Sequence, residues 1–375
     1  MKILYVATVL SHICQFHLPH MQALQEHGWE VHVAAHDNLA VKNGLQLKYC
    51  DKFIETPFSR SPKSLENLRA YQQMKRLLAQ EHYEVILCNT PMGGIVARLA
   101  AQKTRRQGTK VIYMAHGFHF FRGSSKKAWL IFYPIEKFMA KYCDLLITIN
   151  KEDYALAKKR FSKRTKVAHI HGVGVDETRY YPATPERQLA MRQAEGLEAD
   201  DFVILCTGEL NENKNQKTLI FAAALLKDKL PNLKVLLAGN GPKEQELHDQ
   251  IRAEGLEDTV KLLGYRTDLE RLVPAVDLVV SCSKREGMPL NIIEAMLCGK
   301  PVVASHNRGH DELVDNHETG YLLSPADVSG FADRIQMLAA DETQRTRMGK
   351  TAQERVRPYA IGPVREELQR ILISE

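Results

Sequence analysis

Short apolar runs alternate with longer segments of helical periodicity along almost the whole chain. Each run is too short for a buried helix and is bounded by polar residues, so each is predicted to be a buried strand. Strands that alternate with helices favour a parallel sheet covered by helices on both faces, which is an α/β fold. The predicted strands are Ile3–Ala7, Val31–Ala35, Val85–Cys88, Val111–Ala115 and Leu145–Ile149 in the first half, and Phe202–Thr207, Leu233–Ala238, Val260–Leu263, Leu278–Ser281 and Val302–Ser305 in the second.

The strand-and-helix scheme occurs twice, and 375 residues exceed the size of about 250 to 300 residues at which a single core stops growing. We therefore predict two Rossmann-like domains, residues 1–175 and 176–357, joined near 171–185 where glycines and prolines cluster. Helical periodicity predicts helices over 64–80, 94–107, 126–142 and 364–373. From its residues alone, the last helix could pack on either domain.

Charge is divided unequally between the two halves. Residues 1–175 hold 26 Lys and Arg against 12 Asp and Glu, whereas residues 176–375 hold 25 against 33. A basic half can attract nucleic acid, an anionic membrane face or an anionic substrate, or its charge can simply keep the surface soluble.

Cysteine placement and the N-terminal segment bear on the compartment. The seven cysteines are scattered and lie mostly in apolar runs, which predicts buried thiols in a reducing compartment. Residues 3–25 contain no charged residue other than histidine, but the apolar part ends near Leu10, too early for a membrane span or signal peptide. The sequence therefore predicts a cytoplasmic protein.

The most informative segment runs from Ser283 to Val303 and predicts a strand end, a glycine loop, a helix with Pro289 in its first turn, and a further strand. The amides of Leu290 and Asn291 would be free at the start of that helix, which is a suitable place for a phosphate. Glu286 and Glu294 flank it and could accept hydrogen bonds from sugar hydroxyls. Eight-residue Glu spacings also arise by chance, and exposed glutamates on an amphipathic helix remain the alternative.

This segment resembles the Glu-x7-Glu signature of retaining glycosyltransferase family 4. The resemblance is strong over residues 203–325 and looser over 1–170, where Ala115-His116-Gly117 follows a predicted strand. The segment from His116 to Phe121 is similar to the corresponding segment of family members that build bacterial exopolysaccharides and surface glycans. Further pieces that fit in order are Thr207-Gly208-Glu209-Leu210 with Lys214, Ala238-Gly239-Asn240-Gly241-Pro242, Leu263-Gly264-Tyr265, Glu312-Leu313-Val314 and Gly320-Tyr321-Leu322.

The resemblance implies a GT-B fold, in which two Rossmann-like domains face a central cleft and the C-terminal helix, 358–375, packs back on the first domain. It implies retaining, metal-independent transfer of a hexose or N-acetylhexosamine from a nucleotide-diphosphate sugar, most often UDP-linked, to a polysaccharide or a polyprenyl-linked acceptor. Its catalytic residues would be Lys214 on the diphosphate, with Glu286 and His116 on the transferred sugar. Its donor-binding residues would be Gly208, Lys214, Gly241, Gly264, Tyr265, Arg266, Glu286, Leu290, Asn291 and Glu294.

Two departures from the family pattern stand out. Glu209 occupies a position that is usually basic, so we hypothesise that Arg266, Arg285 or Arg308 supplies the missing positive charge. The loop after the first strand has no glycine before Gly28, so Ser11 and His12, together with His119, are predicted to shape the acceptor side.

No cofactor other than the donor is predicted. The chain has no Asp-x-Asp triplet, and the spacing of His12, His17 and His20 is not specific for a metal. Gly239-Asn240-Gly241 lacks the third glycine of a dinucleotide fingerprint, so NAD is not expected.

The segment 122–137 combines basic and large apolar residues, so it could dock on an anionic membrane at the inner face of the cell membrane. Core packing of Trp129, Phe132 and Tyr133 explains its apolar part equally well.

Nucleic acid is not a predicted partner. Two rival functions remain open from the sequence, namely a nucleotide-sugar epimerase of similar shape and an inactive nucleotide-sugar-binding subunit.

Overall fold

The computed structural model describes residues 1–41, 44–161 and 165–373. The chain divides into two compact units, one formed by Met1–Gly174 with Ile361–Glu375 and the other by Val175–Ala360. Each unit contains its own parallel sheet with helices between successive strands.

In the first unit, the sheet has the strand order β3-β2-β1-β4-β5-β6-β7, and all neighbouring strands are parallel. The strands are β1 (Lys2–Val9), β2 (Glu30–His36), β3 (Lys52–Glu55), β4 (Val85–Cys88), β5 (Lys110–Ala115), β6 (Leu145–Thr148) and β7 (Lys166–His169). The helices are α1 (Leu10–Phe16), α2 (Leu18–Glu26), α3 (Glu66–Gln80), α4 (Pro91–Ala100), α5 (Gln102–Arg105), α6 (Lys126–Met139), α7 (Lys151–Arg160) and, from the C-terminal segment, α16 (Ile361–Ile373).

In the second unit, the order is β10-β9-β8-β11-β12-β13, again with parallel neighbours. The strands are β8 (Phe202–Thr207), β9 (Leu233–Ala238), β10 (Val260–Gly264), β11 (Leu278–Ser281), β12 (Val302–Ser305) and β13 (Gly320–Leu323). The helices are α8 (Pro185–Ala194), α9 (Gln216–Leu226), α10 (Glu244–Ala253), α11 (Leu269–Ala275), α12 (Leu290–Leu297), α13 (Arg308–Leu313), α14 (Val328–Ala340) and α15 (Glu342–Val356). Short 3-10 turns lie at Leu39–Val41, Ala140–Tyr142 and Arg357–Tyr359.

The central strands are apolar along their length because helices cover both faces of each sheet. Every residue of β4, β8, β11 and β12 is buried, as expected for parallel strands. The predicted α/β class and the ten predicted strands are confirmed. The prediction that Pro289 lies inside the helix is wrong by one residue, since Pro289 is the N-cap of α12.

Both sheets reverse their strand order at one place, between β1 and β4 in the first unit and between β8 and β11 in the second. Ligands of open α/β sheets bind outside the carboxyl ends of the strands at such a switch point. The loops that leave β8 and β11 therefore define the place to look for a site in the second unit. They contain Gly208 and Lys214 on one side and Glu286 on the other.

All seven cysteines are free thiols, and all but the half-buried Cys50 are buried. The prediction of buried thiols is therefore confirmed for six of them. Among the described residues, the helices are too short or too polar to cross a lipid bilayer.

Candidate active site

At the switch point of the second unit, the Lys214 ammonium and the Glu286 carboxylate form a close ion pair. Lys214 Nζ lies 2.7 Å from Glu286 Oε1, and both side chains are largely buried. The two residues come from different loops, 72 positions apart, so the fold brings them together. Both were predicted to act on the same donor, one on its diphosphate and one on its sugar.

The loop that carries Lys214 is held by asparagines. Asn211 Oδ1 accepts hydrogen bonds from the backbone N–H groups of Asn213 and Lys214, which closes a tight turn. Asn215 has a φ of 55°, a left-handed conformation that asparagine tolerates better than most residues. Its buried amide donates to Thr218 Oγ1, to the Cys282 carbonyl and to the Pro325 carbonyl, so the loop is fixed to the end of β11.

The loop that carries Glu286 is supported by the start of α13. Asn307 caps this helix by accepting from the N–H groups of Gly309 and His310, and its amide donates to the Ser283 carbonyl. A Cβ at Gly309 would lie 2.8 Å from Glu286 Cβ, so only glycine lets the helix approach so closely. Arg308 Nε donates to the Glu286 carbonyl at 3.3 Å.

Glycines allow the loops after β8, β9 and β10 to pack against one another. A Cβ at Gly208 would lie 2.9 Å from Lys214 Cε, and a Cβ at Gly241 would lie 2.5 Å from the Leu210 carbonyl oxygen. The N–H of Gly239 donates to the Gly264 carbonyl at 2.8 Å. Gly208, Gly241 and Gly264 therefore lie along one edge of the sheet, and Tyr265 follows them with 58% of its surface exposed.

Helix α12 begins beside this edge and carries three predicted donor residues. The Asn291 side-chain nitrogen is buried and has no hydrogen-bond partner among the described residues. A buried donor without an acceptor costs about 1–3 kcal/mol, so a ligand that accepts its hydrogen bond would recover this energy. Leu290 occupies the first helical position, where backbone N–H groups have no acceptor within the helix.

Glu294, one turn further along α12, lies in a site that disfavours its charge. Burial raises the pKa of its carboxyl to about 7, although a hydrogen bond from Tyr180 and the nearby Arg179 lower it in part. The side chain is thus partly protonated near neutral pH in the unliganded protein.

The raised pKa of Glu294 predicts a pH-dependent stability difference. The folded state binds a proton more tightly than the unfolded state, so wild-type stability falls as the pH rises from about 4.5 to 7. Relative to wild type, Glu294→Gln should therefore gain up to about 3 kcal/mol of unfolding free energy between pH 5 and pH 8. Urea unfolding at both pH values measures this, with the exposed Glu244→Gln as the matched control. A difference that is constant with pH would contradict it.

Among the described residues, Glu209 makes no ion pair with Lys214, whose partner is Glu286. Glu209 is exposed, and its carboxylate accepts a hydrogen bond from Asn211 Nδ2 at 3.0 Å. Of the three arginines suggested as replacements for the missing positive charge, Arg266 is bound by both Glu195 and Asp268 through four hydrogen bonds. Arg285 is exposed, whereas Arg308 contacts the backbone of Glu286. Arg308 is therefore the best placed of the three to add charge beside Lys214.

In the first unit, the predicted acceptor-side residues line one cavity of about 470 Å³ at the switch point between β1 and β4. Ser11, His12 and His119 are in its wall, together with Arg60 and apolar side chains of α4 and α6. The imidazole of His119 stacks on Phe132, with ring centroids 4.8 Å apart.

His116 follows β5, and its Nε2 lies 3.3 Å from His12 Nε2. Burial is the main cause that lowers the pKa of both groups, to about 4 for His12 and well below the ordinary value for His116. His116 is therefore a neutral imidazole at physiological pH. Such a group can donate a hydrogen bond to a sugar hydroxyl from one nitrogen and accept from the other.

Sequence reasoning missed the residues that hold the site together. Asn215 and Asn307 carry no charge and belong to no motif used above, yet each fixes a predicted site residue. The one signal was their position, because asparagines directly before helices are frequent caps and turn residues.

Two parallel-sheet units of this kind are the architecture of GT-B glycosyltransferases, and family comparison agrees. Residues 188–355 match the model described as glycosyl transferases group 1, and residues 2–150 match the glycosyl transferase 4-like model. The chain belongs to this family of glycosyltransferases, as the resemblance predicted.

The relatives include proteins of bacterial surface-glycan synthesis. The chain is 42% identical to the "Putative glycosyltransferase EpsD" of Bacillus subtilis, over 90% of this chain and 87% of that protein. It is 28% identical to the UDP-Gal:alpha-D-GlcNAc-diphosphoundecaprenol alpha-1,3-galactosyltransferase of Escherichia coli, over 77% and 75%. Among solved structures, Anabaena HepE in complex with UDP matches with a TM-score of 0.80 and 25% identity over 100% of both chains.

Proposed function

We propose that this chain is a retaining hexosyltransferase that moves a hexose or N-acetylhexosamine from a UDP-sugar to a polyprenyl-linked or polysaccharide acceptor in surface-glycan synthesis. The observation that carries the proposal is the Lys214–Glu286 pair at the switch point, together with the start of α12, where the buried side-chain nitrogen of Asn291 has no partner among the described residues. HepE is described in complex with UDP and glucose, and the Escherichia coli relative is named for a UDP-sugar donor and a diphosphoundecaprenol acceptor.

In this mechanism, Lys214 leaves Glu286 when the donor binds and contacts the diphosphate. Its charge and the amides at the start of α12 stabilise the leaving UDP as negative charge develops on it. Glu286 then accepts hydrogen bonds from hydroxyls of the transferred sugar, and Glu294 accepts from the ribose. His116 contacts the transferred sugar.

Retention follows if the acceptor hydroxyl attacks the anomeric carbon from the side of the leaving group. The bond between that carbon and the β-phosphate oxygen breaks, the new glycosidic bond forms, and the acceptor proton passes to the released phosphate oxygen. Each step uses groups of the donor, the acceptor and this chain. We therefore propose that transfer needs no added metal and no cofactor, and that it continues in the presence of a chelator.

The acceptor site we propose is the cavity of the first unit. Its walls include Met92, Ile95 and Ile135, which suit an isoprenoid chain, while Arg60 on its lining suits a diphosphate. A lipid-linked acceptor carries both groups.

The decisive experiment incubates the purified chain with a panel of UDP-sugars and polyprenyl-diphosphate-linked sugars, and identifies the products by mass spectrometry and by the anomeric configuration in NMR. We expect one UDP-sugar to give UDP and an α-linked product. An isomerised UDP-sugar without transfer would instead indicate an epimerase. Donor binding without any product across the whole panel would favour an inactive binding subunit.

We further propose that the enzyme is cytoplasmic and docks on the inner face of the membrane through α6. Trp129 and Tyr133 of this helix pack on the core of the first unit, whereas Leu130 and Phe138 are 79% and 52% exposed. The exposed face therefore carries large apolar side chains that remain accessible in the described part of the first unit. Lysines on the same helix are Lys126, Lys127 and Lys137.

This docking predicts that Leu130→Gln with Phe138→Gln lowers partitioning onto anionic vesicles at least tenfold, because the helix loses the apolar groups that would enter the interface. Co-sedimentation with vesicles of increasing anionic lipid content measures it. Leu225→Gln, which changes an exposed leucine of the second unit, is the matched control. Binding that is insensitive to anionic lipid and to salt would count against the proposal.

A further inference from the structure

Three imidazoles from two parts of the sequence converge in the first unit. His12 lies in α1, His17 directly follows that helix, and His116 follows β5. One nitrogen of each lies within 4.8 Å of the others, and the His12–His116 pair is 3.3 Å apart. His20, which the sequence grouped with the first two, is not part of this cluster.

His17 has unsatisfied hydrogen-bonding groups at the centre of this cluster. Its side chain is fully buried, and neither ring nitrogen has a hydrogen-bond partner among the described residues. The centre of the Tyr5 ring lies 5.7 Å from the centre of the His17 ring. The buried Tyr5 hydroxyl likewise has no hydrogen-bond partner within the described part of the chain. Buried polar atoms in folded proteins are nearly always paired, so unpaired ones at a single place indicate a bound group.

The spacing fits a tetrahedral metal ion. Zinc–nitrogen bonds of about 2.0–2.1 Å place two ligand nitrogens about 3.3–3.4 Å apart. The distance between His12 Nε2 and His116 Nε2 is 3.3 Å, and a nitrogen of His17 lies within 4.8 Å of both, so His17 has to move closer to complete the set. An all-imidazole donor set suits Zn²⁺ and similar ions, not Mg²⁺ or Ca²⁺, which prefer oxygen.

The cluster also has a route of entry. His12 lines the 470 Å³ cavity at the switch point of the first unit, so an ion or water in the cavity can reach its imidazole. Three protein ligands leave the fourth tetrahedral position of a zinc ion to water or another ligand.

We propose that His12, His17 and His116 bind one Zn²⁺ and that its binding inhibits sugar transfer. Inhibition rests on the proposed role of His116, because a nitrogen that coordinates the ion is no longer available to the transferred sugar. The site would make the enzyme sensitive to free zinc, while transfer itself needs no metal.

The test begins with chelator-treated protein titrated with Co²⁺, a spectroscopic substitute for Zn²⁺. We expect one equivalent to give the intense visible absorption of four-coordinate cobalt, and Zn²⁺ to displace it. His17→Gln should weaken binding at least tenfold and abolish the rise in melting temperature that Zn²⁺ causes in the wild type. His12→Gln, at a partly exposed position, provides a second variant should His17→Gln fail to fold.

Two control variants show whether other histidines bind the ion. His36→Gln removes an exposed imidazole far along β2, and His20→Gln removes a buried one whose Nε2 already bonds the Val173 carbonyl. Both should bind Co²⁺ as the wild type does. A six-coordinate cobalt spectrum, equal binding by His17→Gln, or loss of binding in His36→Gln would overturn the site.

Transfer is then assayed with and without Zn²⁺, each variant being compared with its own zinc-free rate. We expect at least tenfold inhibition of the wild type that a chelator reverses, and less than twofold inhibition of His17→Gln. Tight zinc binding without inhibition would overturn the inhibitory step alone. The cobalt titration does not depend on turnover, so it tests the site even if no transfer activity is found.

Discussion

Lys214→Met is expected to lower kcat/KM about 100- to 1000-fold, because it removes the positive charge that we propose stabilises the leaving diphosphate. The loss should be larger in kcat than in KM, since the charge on the leaving group grows in the transition state. Steady-state transfer rates measure the first effect, and calorimetric titration with UDP separates the contribution of ground-state binding.

Lys284→Met is the matched control for this variant. It removes the same charge from a neighbouring loop, but the Lys284 ammonium pairs with exposed Glu212 and not with Glu286. We expect its kcat/KM to stay within about threefold of wild type, as for a screened surface charge. If Lys284→Met lost as much activity as Lys214→Met, general electrostatics would explain the result and the role of Lys214 would be wrong.

A double variant tests the pair itself. Lys214→Met leaves the Glu286 carboxylate without its partner and close to where the diphosphate would bind. Adding Glu286→Gln removes that negative charge, so UDP affinity should recover in part while transfer remains low. Strict additivity of the two changes in binding would show that the two side chains are not coupled, which would contradict a functional role for their ion pair.

The second large effect concerns the stability of the first unit. Glu136→Gln is expected to cost about 3–5 kcal/mol of unfolding free energy, because it leaves the guanidinium of Arg98 buried without a counter-charge. Arg98 is fully buried, its Nη2 lies 3.6 Å from Glu136 Oε2, and its guanidinium stacks 3.9 Å from the centre of the Tyr113 ring. Tyr113 in turn donates to Glu136 at 3.2 Å.

Urea unfolding monitored by a probe in the first unit measures this loss, because the two units need not unfold in one transition. Arg98→Met combined with Glu136→Gln is the control, since it removes both charges and should recover most of the stability. A loss below about 1 kcal/mol for Glu136→Gln would mean that water entering the neighbouring cavity compensates Arg98.

The fold could be predicted wherever burial on both faces leaves an uninterrupted apolar run. The three strands that were missed, β3, β7 and β13, are all at the edges of their sheets. Edge strands are covered on fewer sides and carry polar residues, as in Lys52–Glu55, so the apolar signal is weak. The helix predicted over 94–107 begins at Pro91 in the structure and is interrupted at Ala101. The sequence did not indicate this earlier start, because Gly93 and Gly94 in the first turn are poor helix formers.

Gly93 shows why the sequence alone was insufficient to predict where α4 begins. A Cβ at Gly93 would lie 2.9 Å from the backbone carbonyl carbon of Ala7 in β1. Glycine is unfavourable inside a helix, and here close packing on a strand more than 80 positions away outweighs that preference. The C-terminal helix likewise begins at Ile361 and includes Gly362 and Pro363, whereas the predicted helix starts at residue 364.

In the candidate site, too, local motifs could be recognised in the sequence, whereas contacts between distant segments could not. Lys214, Glu286 and the residues of α12 could be proposed from the sequence because they lie in contiguous motifs at strand ends. Asn215, Asn307 and His17 were not, since their importance depends on contacts with segments distant in sequence. Pairing of His12 with His116, 104 positions apart, follows from the order of strands in the sheet and from no local pattern.

The boundary between the units has a practical consequence for protein engineering. Residues 175–360 form an unbroken insertion within the remainder of the chain, and their two ends meet, since Val175 N–H donates to the Tyr359 carbonyl and Val175 pairs with Ala360. On the other side, Gly174 lies against Ile361. Such a segment can be replaced as one piece by the equivalent segment of a relative through only two junctions. Under the proposed function, a chimaera of this kind would combine the acceptor of one enzyme with the sugar donor of another.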